Sequence, residues 1–320
     1  MLLSEFIASA LAGLESLYPR AEARSMVSIL VCERLGVQSW THIANPSFEV
    51  PEQSLAQLEA DLQKLLASEP LQYVLGYAEF YGRRFRVTKD VLIPRPETEL
   101  LVDTVLQKLK SASRGCDGDC GGASRDGACD RAALKILDLC TGSGCIALTL
   151  ALEPVGAQLT AIDISPAALA IARSQFSAEL SQGAEVTFIE ADVLDLSEEG
   201  LSGTHSKLAL GQFDVIVSNP PYVMEQEKAL MRSNVLDHEP ALALFVPDDD
   251  PLIFYRAIAH HASRLLSAHG WGIVEINTLL AEPTAECFRQ AGLQDVTILP
   301  DLSGKPRFVS FSSGTQPLSR

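Results

Sequence analysis

The chain has 320 residues, 47% of them hydrophobic and 21% charged, and its 41 acidic and 25 basic residues give a formal net charge of −16. This composition is typical of a folded globular protein and excludes a chain that is disordered throughout. The negative charge argues against a protein whose main task is to bind DNA or RNA through phosphates. No apolar run approaches the ~20 residues that a membrane span requires.

Composition and the first residues also predict the compartment. Glu5 interrupts the apolar start and the first basic residue is Arg20, so the N-terminus lacks the features of a signal peptide. Seven cysteines, an odd number, suit a reducing compartment better than a disulfide framework. We therefore expect a cytoplasmic protein that acts as a monomer and contacts neither nucleic acid nor a membrane.

The chain changes its hydrophobic period near residue 76. Residues 1–75 carry apolar side chains at helical spacing, which predicts a small helical domain. In the next segment Phe85 and Val87 alternate with two arginines and Gly82 interrupts the run, which predicts a β-hairpin. The predicted organisation is a helical domain at 1–75, a hairpin linker at 76–93 and a second domain at 94–320.

The second domain is predicted to open with a helix and an insertion. Pro96 is suited to a first helical position, and the helix is expected to run to about Lys110. Residues 111–132 are rich in Gly, Asp and Ser, which predicts a flexible surface insertion. The insertion holds Cys116, Cys120 and Cys129, but their irregular spacing and the lack of a nearby fourth ligand argue against zinc, and we expect no metal.

From residue 133 the pattern alternates strand and helix. We expect strands at 134–139, 157–162, 186–189, 213–217, 273–276, 296–299 and 308–311, and helices from Cys145, from Pro166 behind a Ser165 cap, at about 251–267 and at 281–291. Such alternation predicts an α/β fold with a doubly wound, mostly parallel sheet and helices on both faces. Ligands in such sheets lie beyond the carboxyl ends of the strands.

A glycine-rich turn follows the first of these strands. Gly142, Gly144 and Ala147 fit the pattern G-x-G-x-x-G/A, and Asp163 follows about twenty residues later, where a ribose-binding acid is expected. The glycines let the backbone approach a ligand, and the following helix offers free N–H groups. The turn indicates a nucleoside cofactor, but it does not separate NAD from S-adenosylmethionine.

The discriminating motif ends the fourth strand of the domain. Here Asn219 and Tyr222 flank two prolines, which stiffen the chain and remove backbone donors. The asparagine amide and a neighbouring carbonyl can then accept hydrogen bonds from a planar amino group that lies against the tyrosine ring. A nicotinamide enzyme has no use for such a site, so the motif favours S-adenosylmethionine.

The sequence resembles a known family in four segments that span nearly the whole chain outside 111–132. The segments are Pro70-Leu-Gln-Tyr-Val-Leu-Gly76, Leu92-Ile-Pro-Arg-Pro-Glu-Thr-Glu99, Asn219-Pro-Pro-Tyr222, and Glu239-Pro240 with Ala243-Leu244. They are similar to the protein-(glutamine-N5) methyltransferases that act on peptide chain release factors (the PrmC/HemK family). The resemblance implies a seven-stranded, Rossmann-like class I methyltransferase domain behind a helical N-terminal domain.

The resemblance also implies the cofactor, S-adenosylmethionine, and the residues that bind it. The methionine and ribose part would lie along Cys140, Thr141, Gly142, Ser143 and Gly144. Asp163 would take the ribose hydroxyls, Asp192 and Val193 would meet the adenine, and Asn219 would border the cofactor. Residues 94–97 would close over it.

The implied substrate is the glutamine of a Gly-Gly-Gln loop in class-1 release factors. Asn219 and the Pro220 carbonyl would accept the two N–H groups of its amide, with Pro221 beside them and Tyr222 holding the amide plane. The N-terminal helices and the basic hairpin are expected to help dock the protein substrate. Three positions depart from the family pattern: Cys140 and Asn277, where glycine is usual, and the triple aspartate 248–250.

Alternative functions remain open from the sequence. A glutamine in a ribosomal protein is the nearest alternative substrate. A DNA or RNA amino-methyltransferase would call for a basic groove, which the charge of −16 disfavours. A cofactor-holding module without catalysis has no reason to keep the Asn219–Tyr222 motif, and a dehydrogenase would respond to NADH.

Overall fold

The computed structural model describes residues 1–114, 133–153, 157–175, 185–196 and 212–314. The chain divides into two compact units. The first comprises Met1–Ala78, Val87–Lys89 and Met231–Glu239, and the second comprises Glu79–Arg86, Asp90–Leu230 and Pro240–Arg320. Within the described ranges, no helix has both the length and the apolar character to cross a membrane.

The first unit is helical, as predicted. Its helices are α1 (Leu3–Leu14), α2 (Arg20–Leu35), α3 (Thr41–Ala44), α4 (Glu52–Leu66) and α5 (Leu71–Leu75). The predicted apolar stripes form its core, in which Phe6, Leu30 and Leu58 are almost fully buried. A partly buried ion pair adds to the packing, because Arg34 donates to the buried Asp61 at 2.6 Å and to the Val74 carbonyl at 2.8 Å.

The predicted hairpin is formed by β1 (Tyr77–Phe80) and β2 (Arg83–Arg86), which pair as a two-stranded sheet. Its turn residues Tyr81 and Gly82 both have positive φ, 51° and 69°, the geometry of the tight turn that suits twisted strands. Helix α6 (Pro96–Arg114) starts where predicted but runs past Lys110. The prediction of a loop was therefore wrong at 111–114, and the rest of the 111–132 insertion lies outside the described residues.

The remaining elements belong to the second unit, except for α9 (Ser233–Leu236), which belongs to the first. They are β3 (Leu134–Leu139), α7 (Cys145–Leu152), β4 (Ala157–Asp163), α8 (Pro166–Ser174), β5 (Glu185–Glu190), β6 (Phe213–Ser218), β7 (Val223–Met224), α9 (Ser233–Leu236, in the first unit), β8 (Phe245–Val246), α10 (Ile253–Leu265), β9 (Leu266–Glu275), α11 (Ala281–Gln290), β10 (Gln294–Pro300) and β11 (Pro306–Ser312). Short 3₁₀ helices span Glu225–Leu230, Ala241–Ala243 and Thr278–Leu280. The short pair β7 and β8 was not predicted.

Seven of these strands form one sheet in the order β10-β11-β9-β6-β3-β4-β5, and only β11 runs antiparallel to its neighbours. This confirms the predicted doubly wound, mostly parallel sheet. Ile136 packs with α6 and α7, whereas its neighbour Leu137 packs with α10 and α11, so helices cover both faces. The strand order reverses between β3 and β6, and ligand sites are expected at such a switch point.

Candidate active site

The carboxyl ends of four adjacent strands bring the predicted site residues to one edge of the sheet. Leu139 at the end of β3 pairs with Ile162 of β4 on one side and with Ser218 of β6 on the other. Asp163, the last residue of β4, pairs with Glu190 at the end of β5. The turn at 140–144, Asp163, Asp192–Val193 and Asn219 therefore follow neighbouring strand ends.

The glycine-rich turn is held by backbone hydrogen bonds to β4. Thr141 N–H donates to the Ile162 carbonyl at 2.9 Å, and Gly142 N–H donates to Asp163 Oδ2 at 2.8 Å. Gly142 and Gly144 have φ of 54° and 79°, a region that glycine enters without strain. A Cβ at Gly144 would also lie 3.0 Å from the Ala172 Cβ, so this glycine allows α7 to pack close to α8.

Cys140 occupies a strained position in this turn. Its φ is 60°, a left-handed conformation that costs a residue with a Cβ roughly 1–2 kcal/mol. The side chain is half-buried against the sheet core, and burial raises the pKa of its thiol well above the ordinary value. Burial likewise raises the pKa of Cys145 to about 12, so both side chains are neutral thiols at pH 7 and act as packing groups.

Asp163 supplies the kind of acceptor oxygen that ribose hydroxyl groups require. Its Oδ1 accepts from Ser165 N–H at 2.9 Å and its Oδ2 from Gly142 N–H at 2.8 Å. Burial raises the pKa of Asp163, and these backbone hydrogen bonds oppose the rise. A carboxylate fixed in this way can accept two vicinal hydroxyl groups, which fits the ribose of S-adenosylmethionine.

The loop after β5 is held by its own backbone and by α10. Asp192 Oδ1 accepts from Leu194 N–H at 2.8 Å, and His261 Nε2 lies 2.9 Å from the Val193 carbonyl. Burial lowers the pKa of His261, so the neutral ring donates through Nε2. His261 is buried where it fastens this loop, whereas His260 is exposed.

A buried acid lies beneath the glycine-rich turn. Asp138, in β3, has no exposed surface, and its Oδ2 accepts from Thr141 Oγ1 at 2.6 Å. Desolvation raises the pKa of Asp138 to about 7, and the Thr141 hydrogen bond only partly opposes that rise. The turn therefore rests on a carboxyl group that titrates near neutral pH.

The Asn219–Tyr222 motif lies at the β3/β6 switch point. Ser218 Oγ donates to the Leu139 carbonyl at 2.7 Å, which ties the end of β6 to the end of β3. Asn219 and Tyr222 are half-buried, and the two prolines between them are buried. Asn219 Nδ2 donates to Thr98 Oγ1 at 3.2 Å, so the Oδ1 atom of the same amide group faces away from Thr98.

Tyr222 is fixed at both ends. Its hydroxyl donates to Glu275 Oε1 at 3.0 Å, and its backbone carbonyl accepts from Asn277 Nδ2 at 3.0 Å. Asn277 Nδ2 also donates to Glu227 Oε2 at 2.9 Å, and its Oδ1 accepts from Leu279 N–H at 2.9 Å. Asn277 therefore braces the motif and caps the following 3₁₀ helix.

Sequence reasoning did not find Thr98 and Glu275. They lie 121 and 56 positions from Asn219 in the sequence, and only the fold places Thr98 against Asn219 and Glu275 against Thr98. A signal existed for Glu275, because a lone acid ends the apolar strand Trp271-Gly-Ile-Val-Glu275. Within the described ranges, no group of three or more potential ligand side chains is placed to hold a metal ion, and the insertion cysteines lie outside those ranges.

Comparison with known proteins adds independent information. Two family profiles match, described as the PrmC N-terminal domain over residues 5–76 and a methyltransferase domain over residues 130–270. A release factor glutamine methyltransferase of Bacteroides thetaiotaomicron is 39% identical over 298 residues, which cover 93% of this chain and 95% of that protein. One from Flavobacterium psychrophilum is 36% identical over 313 residues, covering 97% and 98%. A solved structure of the hMettl16 catalytic domain in complex with MAT2A 3'UTR hairpin 6 has a TM-score of 0.49 and 14% identity, and the match covers 82% of this chain and 83% of that one.

The two curated relatives align over nearly their whole length, so the similarity includes both the helical N-terminal region and the sheet domain. The protein is an S-adenosylmethionine-dependent methyltransferase with a class I methyltransferase fold. The geometry of the β3/β6 edge and the extent of these matches lead to one assignment: the chain belongs to the release factor glutamine methyltransferase family.

Proposed function

We propose that the enzyme transfers a methyl group from S-adenosylmethionine to the side-chain amide nitrogen (N5) of the glutamine in the Gly-Gly-Gln motif of class-1 peptide chain release factors. The observation that carries the proposal is the orientation of Asn219, whose Nδ2 is bound to Thr98, so that its Oδ1 can accept from a second amide. The names of the curated relatives support the same substrate.

The chemistry requires orientation more than a base. An amide nitrogen is a poor nucleophile because its lone pair is delocalised into the carbonyl, as the ~18–20 kcal/mol rotation barrier of the related peptide bond shows. Asn219 Oδ1 and the Pro220 carbonyl would accept the two N–H groups and draw electron density toward the nitrogen. The same contacts would stabilise positive charge on that nitrogen until it loses a proton.

The Tyr222 ring would pack against the plane of the substrate amide. Burial, together with the neighbouring Glu275, raises the pKa of its hydroxyl, so the group stays protonated and is no general base. Because the hydroxyl is bound to Glu275, the ring is held in one orientation beside Asn219. S-adenosylmethionine, when bound, supplies an electrophilic methyl group. The ring and Asn219 together would set the angle at which the acceptor nitrogen meets it.

The cofactor residues follow from the same edge of the sheet. We assign the methionine and ribose part to the turn at 140–144, the ribose hydroxyls to Asp163 and the adenine to Asp192–Val193. Residues 94–97, which lead into α6, would close over the cofactor. The two fixed oxygens of Asp163 and the loop fastened by His261 support this assignment.

Two other substrates are less well supported. A glutamine in a ribosomal protein would fit the same clamp, but the curated relatives cited above are named for release factors. Nucleic acid is disfavoured by the net charge of −16. We further propose that the helical domain at 1–75 and the hairpin linker at 76–93 help dock the protein substrate on the domain at 94–320.

The test replaces Asn219 by Ala. Methyl transfer to a purified class-1 release factor should fall by about 100-fold or more, because the variant lacks the Oδ1 atom that would accept from the reacting amide. The affinity for S-adenosylmethionine, measured by calorimetry, should change by less than about threefold. The exposed Asn45→Ala variant is the control. Full transfer by Asn219→Ala would contradict the proposal, and loss of cofactor affinity together with transfer would contradict the role given to this residue.

A further inference from the structure

Three hydrogen bonds connect the Asn219–Tyr222 motif to a buried acid. Asn219 Nδ2 donates to Thr98 Oγ1 at 3.2 Å, and Thr98 Oγ1 donates to Glu275 Oε2 at 2.7 Å. Tyr222 OH donates to the other carboxylate oxygen, Glu275 Oε1, at 3.0 Å. Asn219, through Thr98, and Tyr222, directly, are therefore both connected by hydrogen bonds to one carboxyl group, that of Glu275 at the end of β9.

The connection is almost completely removed from solvent. Glu275 is 1% exposed and Thr98 is 2% exposed. Burial raises the pKa of the Glu275 carboxyl, while the hydroxyl groups of Thr98 and Tyr222 and the nearby Arg307 oppose that rise. A buried carboxylate that accepts from two hydroxyl groups is a stable arrangement only while both donors stay in place.

The direction of each hydrogen bond follows from the chemistry of the groups. Both oxygens of the Glu275 carboxyl group accept, one from Tyr222 and one from Thr98, so the single proton of the Thr98 hydroxyl points at Glu275. The Thr98 oxygen is then left as an acceptor, and the Asn219 group that faces it must be the donor Nδ2. The carboxylate thus decides, through Thr98, which end of the Asn219 amide faces Thr98 and which end is left for the acceptor amide.

We propose that Thr98 and Glu275 are positioning residues that lock the Asn219 amide with Oδ1 toward the acceptor nitrogen and hold the Tyr222 ring through its hydroxyl. The inference rests on the proposed function, since it assumes that an amide nitrogen is the acceptor. Without the lock, the Asn219 side chain can turn over and present its own N–H groups to the N–H groups of the substrate. Such a pairing of two donors prevents the hydrogen bond on which transfer depends.

The first test removes the lock without removing volume. Thr98→Val keeps the shape of the side chain but has no hydroxyl, whereas Thr98→Ser keeps the hydroxyl. We expect Thr98→Val to lower kcat on a class-1 release factor about 10- to 100-fold, with the affinity for S-adenosylmethionine little changed. Thr98→Ser should restore most of kcat. Glu275→Gln, whose NH2 group cannot accept from a hydroxyl, should also lose kcat.

A matched control lies on the same helix. The Thr104 hydroxyl donates to the Leu100 carbonyl within α6 and has no part in the connection, so Thr104→Val should keep the parent kcat. The inference is overturned if Thr98→Val keeps the parent kcat, if Thr98→Ser is as slow as Thr98→Val, or if Thr104→Val is as slow as Thr98→Val.

A second readout needs no substrate and therefore separates this inference from the proposed function. The chain has only four asparagines, Asn45, Asn219, Asn234 and Asn277, so selective ¹⁵N labelling of the full-length protein gives four side-chain amide pairs. Asn219→Asp assigns its pair by removing it. We expect the Asn219 pair to shift and to exchange faster with water in Thr98→Val but not in Thr98→Ser. An unchanged pair in Thr98→Val overturns the inference, whereas a parent enzyme that methylates no release factor refutes the proposed function alone.

Discussion

At the residue scale, the carboxyl group beneath the glycine-rich turn makes the stability of the fold depend on pH. Burial raises the pKa of Asp138 to about 7, well above the value of about 3.9 in an unfolded chain. Between these two values the folded state binds the proton and the unfolded state does not. The stability that Asp138 contributes is therefore complete below about pH 4 and is lost as the pH rises through about 7.

The Asp138→Asn variant tests this effect because it cannot ionise. The free energy of unfolding of the wild type should fall relative to that of the variant by about 1.4 kcal/mol per pH unit between pH 4 and 7, and the difference should level off above pH 8. Urea unfolding of both proteins at a series of pH values measures it. A difference that does not vary with pH would show that the buried carboxyl keeps its ordinary pKa.

The site residues that could be identified from the sequence share one property. Each lies in a short motif whose residue types and spacing indicate its chemistry. Asn219 and Tyr222 flank two prolines, and Asp163 ends a strand at a known distance from the glycine-rich turn. Thr98, Glu275 and His261 could not be identified in this way, because their partners lie on distant parts of the chain. Threonine is common in the first turn of a helix, so the sequence alone assigns no role to the Thr98 hydroxyl. Only its contact with Glu275 indicates one.

At the element scale, Ser165 caps the N-terminus of α8 and contacts Asp163, one of the residues that we propose to bind the cofactor. Ser165 Oγ accepts from Ala168 N–H at 3.2 Å, and its own N–H donates to Asp163. Ser165→Ala should lower the free energy of unfolding by about 1 kcal/mol, because one of the free N–H groups of the helix loses its partner. Urea unfolding measures the loss.

The control for this prediction lies at the other end of the same helix. The Ser174 hydroxyl donates to the Ile171 carbonyl and caps no N–H group, so Ser174→Ala should change the free energy of unfolding by less than about 0.5 kcal/mol. Equal losses in the two variants would contradict the assigned capping role of Ser165.

Element boundaries were predictable where the local signals were strong. Pro96 and Ser165-Pro166 gave the starts of α6 and α8, and the apolar run fixed β3. The start of β9 was missed by seven residues, because Ser267, His269 and Gly270 interrupt the apolar pattern. The register of β9 with β6 is irregular there, between Phe213 and Val215, so this stretch lacks the alternation that a sequence pattern requires.

At the scale of the whole molecule, the first unit contains Met231–Glu239 from the segment between β7 and β8. Arg232 donates to both carboxylate oxygens of Glu22 at 2.9 Å, and His238 Nε2 lies 3.2 Å from the Ala67 carbonyl. Met231–Glu239, which begin nine residues after the Asn219–Tyr222 motif, are thus part of the first unit, whereas the residues between them and the motif belong to the second. Sequence periodicity could not show this, because nine residues with one short helix carry no signal of where they pack.

Deletion of residues 1–75 tests whether the helical domain docks the substrate. KM for a whole class-1 release factor should rise about tenfold or more, equivalent to a loss of about 1.4 kcal/mol of docking free energy. KM for a short Gly-Gly-Gln peptide, which is too small to use a docking surface, should stay nearly the same. Peptide activity also reports that the catalytic domain is folded, so an unchanged KM for the whole factor in a peptide-active protein would contradict docking by this domain.

The most direct test of the central claim is the identity of the methylated atom. The enzyme is incubated with S-adenosylmethionine and a purified class-1 release factor, and the Gly-Gly-Gln peptide is then fragmented by mass spectrometry. We expect one added methyl group on the side-chain amide of the glutamine. An unmodified glutamine, with binding of S-adenosylmethionine confirmed separately, would contradict it.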